Sequence, residues 1–265
     1  MIVGLEGGLG NQMFQLAFGK SVSKARGEEI FFTKWRFDED PSRSYGLDVF
    51  DTKIWIVSED VPPLIREPFF RYNPEIYTMP ITTFTGHFQT EKYFDKPLVR
   101  SLFRLKNPPS DESRSVALDI LRQPSCFVHF RRTDNLLPEK MAYHGMPSRA
   151  YYASAMNHIA LNVPGVKFFF FSDEPRWCKE TFPEYTTVDC NPMSTKGHPG
   201  REHEDLWLMG LCHHGIIANS TFSWWGAWLG DTRSERIVVA PKTWFGPASP
   251  MDSCDIVPER WLRFE

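Results

Sequence analysis

The chain has 265 residues, of which 42% are hydrophobic and 24% charged, a composition typical of globular proteins and not of disordered or collagen-like ones. Its 30 Lys and Arg residues against 33 Asp and Glu residues give a formal net charge of −3. This balance lacks the basic excess of proteins that bind nucleic acid, so we expect no nucleic-acid partner. The length is sufficient for two domains of roughly 100–150 residues each.

Neither a membrane span nor a disulfide framework is predicted. No run approaches the roughly 20 consecutive apolar residues that a spanning helix needs. The apolar start, Met1–Leu5, is too short for a signal peptide and lacks a basic residue before it. The five cysteines are an odd number, lie far apart and form no Cys-x-x-Cys pair. These features favour a cytoplasmic protein.

The first 33 residues have the pattern of a βαβ unit. Met1–Leu5 predicts a strand, the glycines at positions 7, 8 and 10 predict a turn, and Glu29–Thr33 predicts a second strand. Between them, residues recur at helical spacing on one face until Gly27: Phe14, Ala17, Phe18, Ser21, Val22 and Ala25. The two strands are therefore expected to be parallel.

The middle of the chain is less regular. Six prolines interrupt residues 34–80, which we expect to be mostly irregular. A strand is predicted at Ile81–Thr85 and a helix from about Glu91 to Leu105. The polar, proline-rich segment Asn107–Asp111 is the predicted linker, so the predicted domains are residues 1–110 and 111–265.

The second half alternates strands and helices, which predicts an α/β domain with a doubly wound parallel sheet. The predicted strands are Cys126–Phe130, Lys167–Phe171, Thr186–Cys190, Gly215–Ala218 and Ile237–Ala240. The predicted helices are a segment capped by Ser148, then Arg176–Phe182, Glu204–His213 and Phe222–Leu229. The four consecutive phenylalanines of 168–171 suit a strand covered on both faces. Trp224, Trp225 and Trp228 lie at helical spacing and are expected in the core.

Ligands of open α/β sheets bind outside the carboxyl ends of the strands, and three polar segments follow predicted strands there. They are residues 129–135, 172–174 and 219–225. Two adjacent guanidinium groups suit a diphosphate, and the start of a helix also favours an anion. The residues expected to form this nucleotide-diphosphate pocket are Arg131, Arg132, Asp173, Asn219, Ser220 and Thr221.

Each of these segments also has a simpler interpretation. The arginine pair could form a surface salt-bridge cluster, Ser220 and Thr221 could be ordinary helix caps, and Asp173 could be a turn former. The expected convergence of three segments on one edge of the sheet favours the pocket.

The first turn, Gly7–Met13, fits a dinucleotide-binding loop poorly. Met13 occupies the position of the third glycine, and no acidic residue follows the second strand at Thr33. NAD is therefore not expected, although Asn11 and Gln12 could donate hydrogen bonds to a ligand. Asp38–Asp40 is formally an Asp-x-Asp motif, but a solvated acidic loop is the expected structure, and we predict neither a metal site nor a cofactor.

Three segments together resemble bacterial α-1,2-fucosyltransferases of glycosyltransferase family 11: Gly7–Gln15, His129–Asp134 and Ile217–Ala227. Gly86–Gln89 and Phe171–Glu174 are also similar to family segments. The resemblance implies an α/β fold of the GT-B type, with two Rossmann-like domains facing across a cleft, the first binding the acceptor and the second GDP-fucose. It further implies inverting, metal-independent transfer of L-fucose from GDP-β-L-fucose to O2 of a terminal galactose.

The resemblance also implies roles for individual residues. Arg131 would stabilise the leaving diphosphate, with Arg132 assisting it or serving as scaffold, and the N–H groups near Ser220–Ser223 would replace a metal. His129 and Asp173 would lie near the guanine. The remaining donor-binding residues would be Gly10, Asn11, Gln12, Asn219, Thr221 and Ser223.

The general base is the most open assignment. Asp134 and Glu139 both follow the arginine pair closely, and Asp134 could instead hold an arginine by a salt bridge. The resemblance favours Glu139, because related core fucosyltransferases have a comparable glutamate a few residues past this motif. A dissociative transition state would make a strong base unnecessary.

The implied acceptor is a galactose-terminated oligosaccharide, such as lactose or a glycan precursor. We expect a cytoplasmic enzyme, either free or peripheral to the inner membrane. Two alternatives stay open, namely a transferase with another GDP-sugar or linkage position, and a non-catalytic glycan-binding module.

Overall fold

The computed structural model describes residues 1–40, 42–57, 65–67, 70–80, 82–193 and 200–265, with the backbone alone at residues 65, 134 and 135. Within these ranges the chain forms two compact units. The first comprises Met1–Pro108 together with Met251–Pro258, and the second comprises the other described residues. The predicted division assigned residues 251–258 to the second domain, whereas their contacts place them in the first.

The first unit is built on a parallel sheet. Its described strands are β1 (Ile2–Gly4), β2 (Phe31–Thr33), β3 (Ile56–Val57), β4 (Ile65–Arg66) and β5 (Thr83–Thr85), in the order β3-β2-β1-β5-β4. The helices are α1 (Leu9–Arg26), α2 (Arg36–Glu39) and α3 (Lys96–Leu102). All strand pairings are parallel, as the βαβ pattern predicts.

Helix α1 provides the core of this unit. It begins at Leu9, earlier than the predicted apolar face, and ends as predicted at Gly27, whose φ of +66° suits a glycine. Phe14 and Phe18 are fully buried. The Phe18 ring stacks on that of Phe88, with 3.7 Å between centroids, which ties α1 to the segment after β5.

The predicted helix from Glu91 to Leu105 is wrong in its extent. A 3-10 turn at Glu91–Tyr93 is followed by an extended residue, Phe94, and then by α3. The Asp95 side chain accepts a hydrogen bond from the Leu98 N–H at 3.0 Å, so it caps a new helix and does not continue the old one. Residues 34–80 hold short elements among irregular segments, and Ile81 lies outside the described residues.

The second unit contains a larger parallel sheet. Its described strands are β6 (Ser125–Phe130), β7 (Lys167–Ser172), β8 (Thr186–Thr187), β9 (His214–Ile216), β10 (Val238–Pro241) and β11 (Leu262–Phe264), in the order β11-β10-β9-β6-β7-β8. The helices are α4 (Asp111–Leu121), α5 (Pro138–His144), α6 (Arg149–Asn162), α7 (Pro175–Thr181), α8 (Glu202–Leu211) and α9 (Thr221–Gly230). Seven of these elements have predicted counterparts within one or two residues at each end: β6, β7, β9, β10, α7, α8 and α9.

The core of the second unit confirms the aromatic predictions. Phe168–Phe171 are buried along β7, and Trp224, Trp225 and Trp228 of α9 are fully buried. Ser148 caps α6 as predicted, because its Oγ accepts a hydrogen bond from the Tyr151 N–H at 3.0 Å. The aromatic excess thus fills the core.

Three elements of this unit were not predicted. The segment 107–111, predicted as a linker, contains Ser110, which caps α4. The Ser110 hydroxyl also donates a hydrogen bond to the Glu204 carboxylate at 2.6 Å. Helix α5 follows Arg132 closely, and β11 extends the sheet beyond β10.

The predicted fold class is confirmed: the protein is α/β, and like the GT-B type it has two Rossmann-like units with parallel sheets. Among the described residues, no helix has the length and apolar character needed to cross a membrane. All five cysteines are free thiols.

Candidate active site

The carboxyl ends of β6 and β7 bring two of the predicted polar segments together. These strands pair in parallel with Phe130 opposite Ser172. Arg131 and Asp173 are the next residues of the two strands, and they form an ion pair. The Asp173 side chain is only 4% exposed, so this pair is largely removed from water and screened little by salt.

Asp173 holds the whole turn after β6. Besides the Arg131 guanidinium, its carboxylate accepts the Arg132 backbone N–H at 2.9 Å and the Thr133 hydroxyl at 2.6 Å. A carboxylate that accepts several hydrogen bonds has little capacity left for a ligand. The predicted contact of Asp173 with a guanine or a ribose is therefore not supported by this geometry, in which Asp173 positions Arg131.

Arg132 is fixed by two neighbours. Its Nε donates to Oε2 of Glu174 at 2.6 Å, and its guanidinium lies 3.7 Å from the centroid of the Trp177 ring. A planar guanidinium that is paired and stacked in this way loses little further entropy when it binds an anion. Of the two predicted roles, scaffold or assistant, the scaffold is the one these contacts describe.

His129 is buried at the end of β6 and kept neutral. Burial lowers its pKa to about 4, outweighing the opposite effect of Asp173. The Nδ1 atom is buried and has no hydrogen-bond partner in the described part of the chain. A neutral imidazole with one unmet nitrogen can bind a polar, uncharged group, and the Phe222 ring lies beside it, 5.9 Å between centroids.

The third predicted segment lies after β9, which pairs with β6, so its residues follow the same edge of the sheet. Ser220 is the N-terminal cap of α9 but makes no side-chain capping bond. The first N–H groups of a helix have no partner within the helix, and they favour an anion. Thr221 is half-buried here, whereas Ser223 is fully buried and its hydroxyl donates to the Ser220 carbonyl at 3.4 Å.

Asn219 connects three segments at this edge. Its Nδ2 donates to the carbonyl oxygens of His144 at 2.7 Å, Gly145 at 3.2 Å and Trp244 at 2.9 Å. These carbonyls fix the orientation of the amide, and the buried Oδ1 atom has no partner among the described residues. The amide nitrogen is thus structural, and Oδ1 is the atom that a ligand could use.

The two candidate bases are placed differently. Glu139 is exposed in the first turn of α5, a helix that continues the segment carrying the arginines. The side chain of Asp134 lies outside the described residues.

In the first unit, the predicted glycine turn is partly buried and is held by hydrogen bonds from a buried side chain. The Gln12 side chain is fully buried and donates to the carbonyls of Gly7 and Ser44, both at 2.9 Å, while its Oε1 accepts from the Gly46 N–H. It is therefore unavailable as a ligand donor, contrary to the prediction. Gly10 is buried too, and Asn11 accepts a hydrogen bond from Gln89 at 3.2 Å.

The acidic segment Asp38–Asp40, predicted as a loop, instead lies on the short helix α2 and its C-terminal cap, and it has local partners. Glu39 pairs with Arg36, and Asp40 accepts hydrogen bonds from Ser42. In the part of the chain that the structure describes, no three His, Cys, Asp or Glu residues cluster as a metal site would require.

The sequence prediction missed the partners of the arginine pair, Glu174 and Trp177. Both lie within five residues of Asp173. The signal that could have indicated them is a carboxylate and an aromatic residue shortly after β7, the strand beside β6.

The family model for glycosyl transferase family 11 matches residues 85–263, about two thirds of the chain, and covers all of these residues.

The chain is a member of glycosyl transferase family 11.

Curated relatives agree with this family assignment. The chain is 30% identical to the alpha-1,2-colitosyltransferase of Escherichia coli over all of its own length and 99% of that protein. The O-antigen biosynthesis glycosyltransferase WbnK of Escherichia coli is 37% identical over 44% of this chain and 38% of its own length. Galactoside alpha-(1,2)-fucosyltransferase 1 of Bos taurus is 31% identical over 42% of this chain and 31% of its own.

Solved structures are more distant from this family 11 chain. Fucosyltransferase NodZ from Bradyrhizobium superposes with a TM-score of 0.48 at 16% identity, over 85% of this chain and 91% of that one. POFUT1 in complex with GDP gives a TM-score of 0.47 at 14% identity, over 90% of this chain and 97% of that one.

Proposed function

We propose that this family 11 enzyme transfers L-fucose from GDP-β-L-fucose to O2 of a terminal galactose, with inversion and without a metal ion. The observation that carries the proposal is the guanidinium of Arg131, fixed by Asp173 at the sheet edge where α9 begins. An oriented cation beside an uncapped helix start suits a diphosphate.

The reaction needs charge stabilisation more than covalent chemistry. The acceptor hydroxyl forms a bond to the anomeric carbon while the bond from that carbon to the diphosphate oxygen breaks. Negative charge then accumulates on the β-phosphate of the leaving GDP, so a cation held in advance stabilises the transition state more than the ground state. Arg131 takes this role, and the N–H groups at the start of α9 assist it.

The proton of the acceptor hydroxyl passes to a base as the new bond forms. Glu139 is the proposed base, because it is an exposed carboxylate on the helix that follows the arginines; Asp134 is the alternative. Neutral His129 and the Oδ1 atom of Asn219 offer hydrogen bonds to the uncharged part of the nucleotide.

The nearest alternative is another GDP-sugar, since a full-length relative is named as a colitosyltransferase. Colitose lacks one ring hydroxyl that L-fucose carries, at C3. A site that hydrogen-bonds this hydroxyl rejects the deoxy sugar strongly, whereas a site that merely accommodates it discriminates weakly. Comparing GDP-fucose and GDP-colitose as donors therefore distinguishes the two activities.

The test begins with thermal denaturation in the presence of GDP, UDP, ADP or NAD. Only GDP should raise the melting temperature, because a ligand stabilises the folded state it binds. GDP release is then measured with GDP-fucose and lactose. Stabilisation by UDP and not by GDP would contradict the guanine assignment, and glycan binding without any GDP release would favour a non-catalytic module.

Arg131→Ala should reduce kcat/KM by a factor on the order of 10² to 10³, as loss of one transition-state donor does in other enzymes. Arg149→Ala is the matched control, because Arg149 is exposed at the start of α6 in the same unit. Activity of Arg131→Ala within about tenfold of wild type would exclude Arg131 as the group that stabilises the diphosphate.

Excess EDTA should leave GDP release unchanged, since the proposed mechanism gives the role of the metal to arginine and helix N–H groups. Loss of activity that Mn²⁺ restores would instead indicate a metal-dependent enzyme and direct attention to Asp38–Asp40.

A further inference from the structure

A second set of polar groups lies at the carboxyl edge of the sheet in the first unit. Strands β4 and β5 pair in parallel, with Arg66 opposite Thr85, and the Glu67 N–H donates to the Thr85 carbonyl at 3.0 Å. Glu67 therefore follows β4 at the place where Gly86–Phe88 follows β5. This is the edge at which open α/β sheets bind ligands.

The two carboxylate oxygens of Glu67 differ. Oε2 accepts the backbone N–H groups of His87, at 3.0 Å, and of Phe88. Oε1 is buried and has no hydrogen-bond partner among the described residues. A buried acceptor without a partner costs about 1–3 kcal/mol, so this oxygen is poised for a donor that the chain itself does not provide.

Residues near Glu67 have unusual backbone conformations. Gly86 has a φ of +146°, and a Cβ at this position would lie 2.6 Å from that of Glu67. Phe70 and Phe88, with φ of +58° and +50°, are the two non-glycine residues with positive φ in the described part of the chain. The Phe88 N–H binds Glu67, and Phe70 follows Glu67 by three residues. Such strain costs on the order of 1–3 kcal/mol per residue and concentrates at functional sites.

The neighbouring side chains indicate what kind of ligand fits. The rings of Phe70 and His87 stack in parallel, 5.4 Å apart. A second carboxylate, Glu6, has Oε1 3.8 Å from Nδ1 of His87 and Oε2 3.4 Å from Nε of Arg36. Two carboxylates disfavour a phosphate, whereas a carboxylate acceptor beside aromatic rings is typical of sites for neutral, hydroxyl-bearing sugars.

We propose that Glu67 binds the acceptor saccharide, with Oε1 accepting a hydrogen bond from a sugar hydroxyl. The inference rests on the proposed function, because it assumes a saccharide acceptor, and it places that acceptor, and not the nucleotide, on the first unit. It adds a specificity-determining residue that lies outside the three sequence segments on which the donor site was predicted.

The proposal predicts a pH dependence of acceptor binding. Burial raises the pKa of Glu67 to about 7, although the N–H groups of Phe88 and His87 act in the opposite direction. Only the ionised group accepts through Oε1 without competition from its own proton, so acceptor KM should fall as the pH rises through 7. The other titratable or charged groups around it are Glu6, Arg36, His87 and Tyr93, so the effect is measured as a difference between wild type and Glu67→Gln.

Glu67→Gln separates binding from structure. The glutamine oxygen can still accept both backbone N–H groups, while its amide nitrogen, a donor, replaces the unpaired acceptor. Glu75→Gln is the matched control, because Glu75 is exposed in the same unit. We expect Glu67→Gln to raise the KM for lactose at least tenfold, to remove the pH dependence of this KM, and to leave the affinity for GDP unchanged. A KM within twofold of wild type would show that Glu67 only supports the turn.

A second measurement does not depend on transfer. GDP-loaded wild type, Glu67→Gln and Glu75→Gln are applied to an array of galactose-terminated glycans. Loss of binding in Glu67→Gln alone supports the acceptor site even if GDP-fucose proves not to be the donor. Equal binding by all three proteins, or no binding by wild type, overturns it, and failure of GDP release alone counts only against the proposed function.

Discussion

One carboxylate, Asp173, positions the charged groups after β6. It accepts from the Arg131 side chain and from the Arg132 backbone, and it is nearly fully buried. Truncating one partner of a buried ion pair leaves the other without compensation, which costs more than the pair contributes. We therefore expect Asp173 to orient the guanidinium of Arg131 toward a ligand.

Asp173→Asn should lower kcat/KM at least tenfold while the protein stays folded, because the asparagine retains one acceptor oxygen but loses the charge that orients Arg131. Steady-state GDP release and a melting curve measure the two effects. Asp189→Asn is the control, since Asp189 forms an exposed ion pair with Lys179. Equal activity of the two variants would show that Arg131 needs no positioning.

The sequence predicted which polar segments meet at the carboxyl ends of β6 and β7, but not which residues pair there. The parallel order of β6 and β7 follows from the alternation of strands and helices, and it brings Arg131 near Asp173. Which carboxylate pairs with Arg131 depends on strand register, which the sequence does not show. The sequence did not point to Glu67, because the strand before it, β4, has only two described residues and lies in a proline-rich region. The environment of Glu67 also depends on Gly86, which is 19 residues away along the chain.

Helices α1 and α4 differ in the width of the face that they bury, and this difference affected their prediction. Helix α1 is buried along most of its length, so the helical period of its apolar residues was clear from the sequence. Helix α4 buries only Ser113, Ala117 and Ile120, a narrow face, and its start lies in a segment that has the composition of a linker. The capping serine, Ser110, lies within this linker-like segment.

Ser110→Ala should lower the free energy of unfolding by about 1–2 kcal/mol. Its hydroxyl accepts from the Ser113 N–H at 3.3 Å and donates to buried Glu204 at 2.6 Å, so one atom serves both a helix cap and a contact with α8. Urea denaturation provides the measurement. Ser115→Ala, exposed on the same helix, should change stability by less than about 0.5 kcal/mol; equal effects would refute the capping role.

At the scale of the whole molecule, the first unit is built from two segments that are far apart along the chain. After Pro250 the chain contributes Met251–Pro258 to the first unit, and β11 then belongs to the second. Asp255 anchors this segment, since its carboxylate accepts from the Tyr72 N–H at 2.9 Å and from Lys92. Burial acts to raise the pKa of Asp255, but these partners outweigh it and hold the pKa below its ordinary value.

Asp255→Ala should destabilise the first unit by about 1–3 kcal/mol, because the Tyr72 N–H loses its acceptor. Hydrogen exchange should accelerate around Tyr72 and Lys92, and not in the sheet of the second unit. The folded-state pKa is depressed, so the contribution is fully present above about pH 4, the ordinary range of Asp, and is lost as the pH falls through the lower folded value. Asp252→Ala removes a more exposed ion pair with Arg71 and the acceptor of the Cys254 N–H, which lies on an exposed residue that water can reach. It should cost less than about 1 kcal/mol. Equal exchange in both variants would contradict the anchoring role.

This chain order sets a rule for recombining family members. A single crossover near Pro108 would join one parent's Met1–Pro108 to the other parent's 251–258. The carboxylate that accepts hydrogen bonds from Tyr72 and Lys92 would then come from the wrong parent. A working chimera needs two further junctions, so that residues 251–258 are inherited together with the first 108.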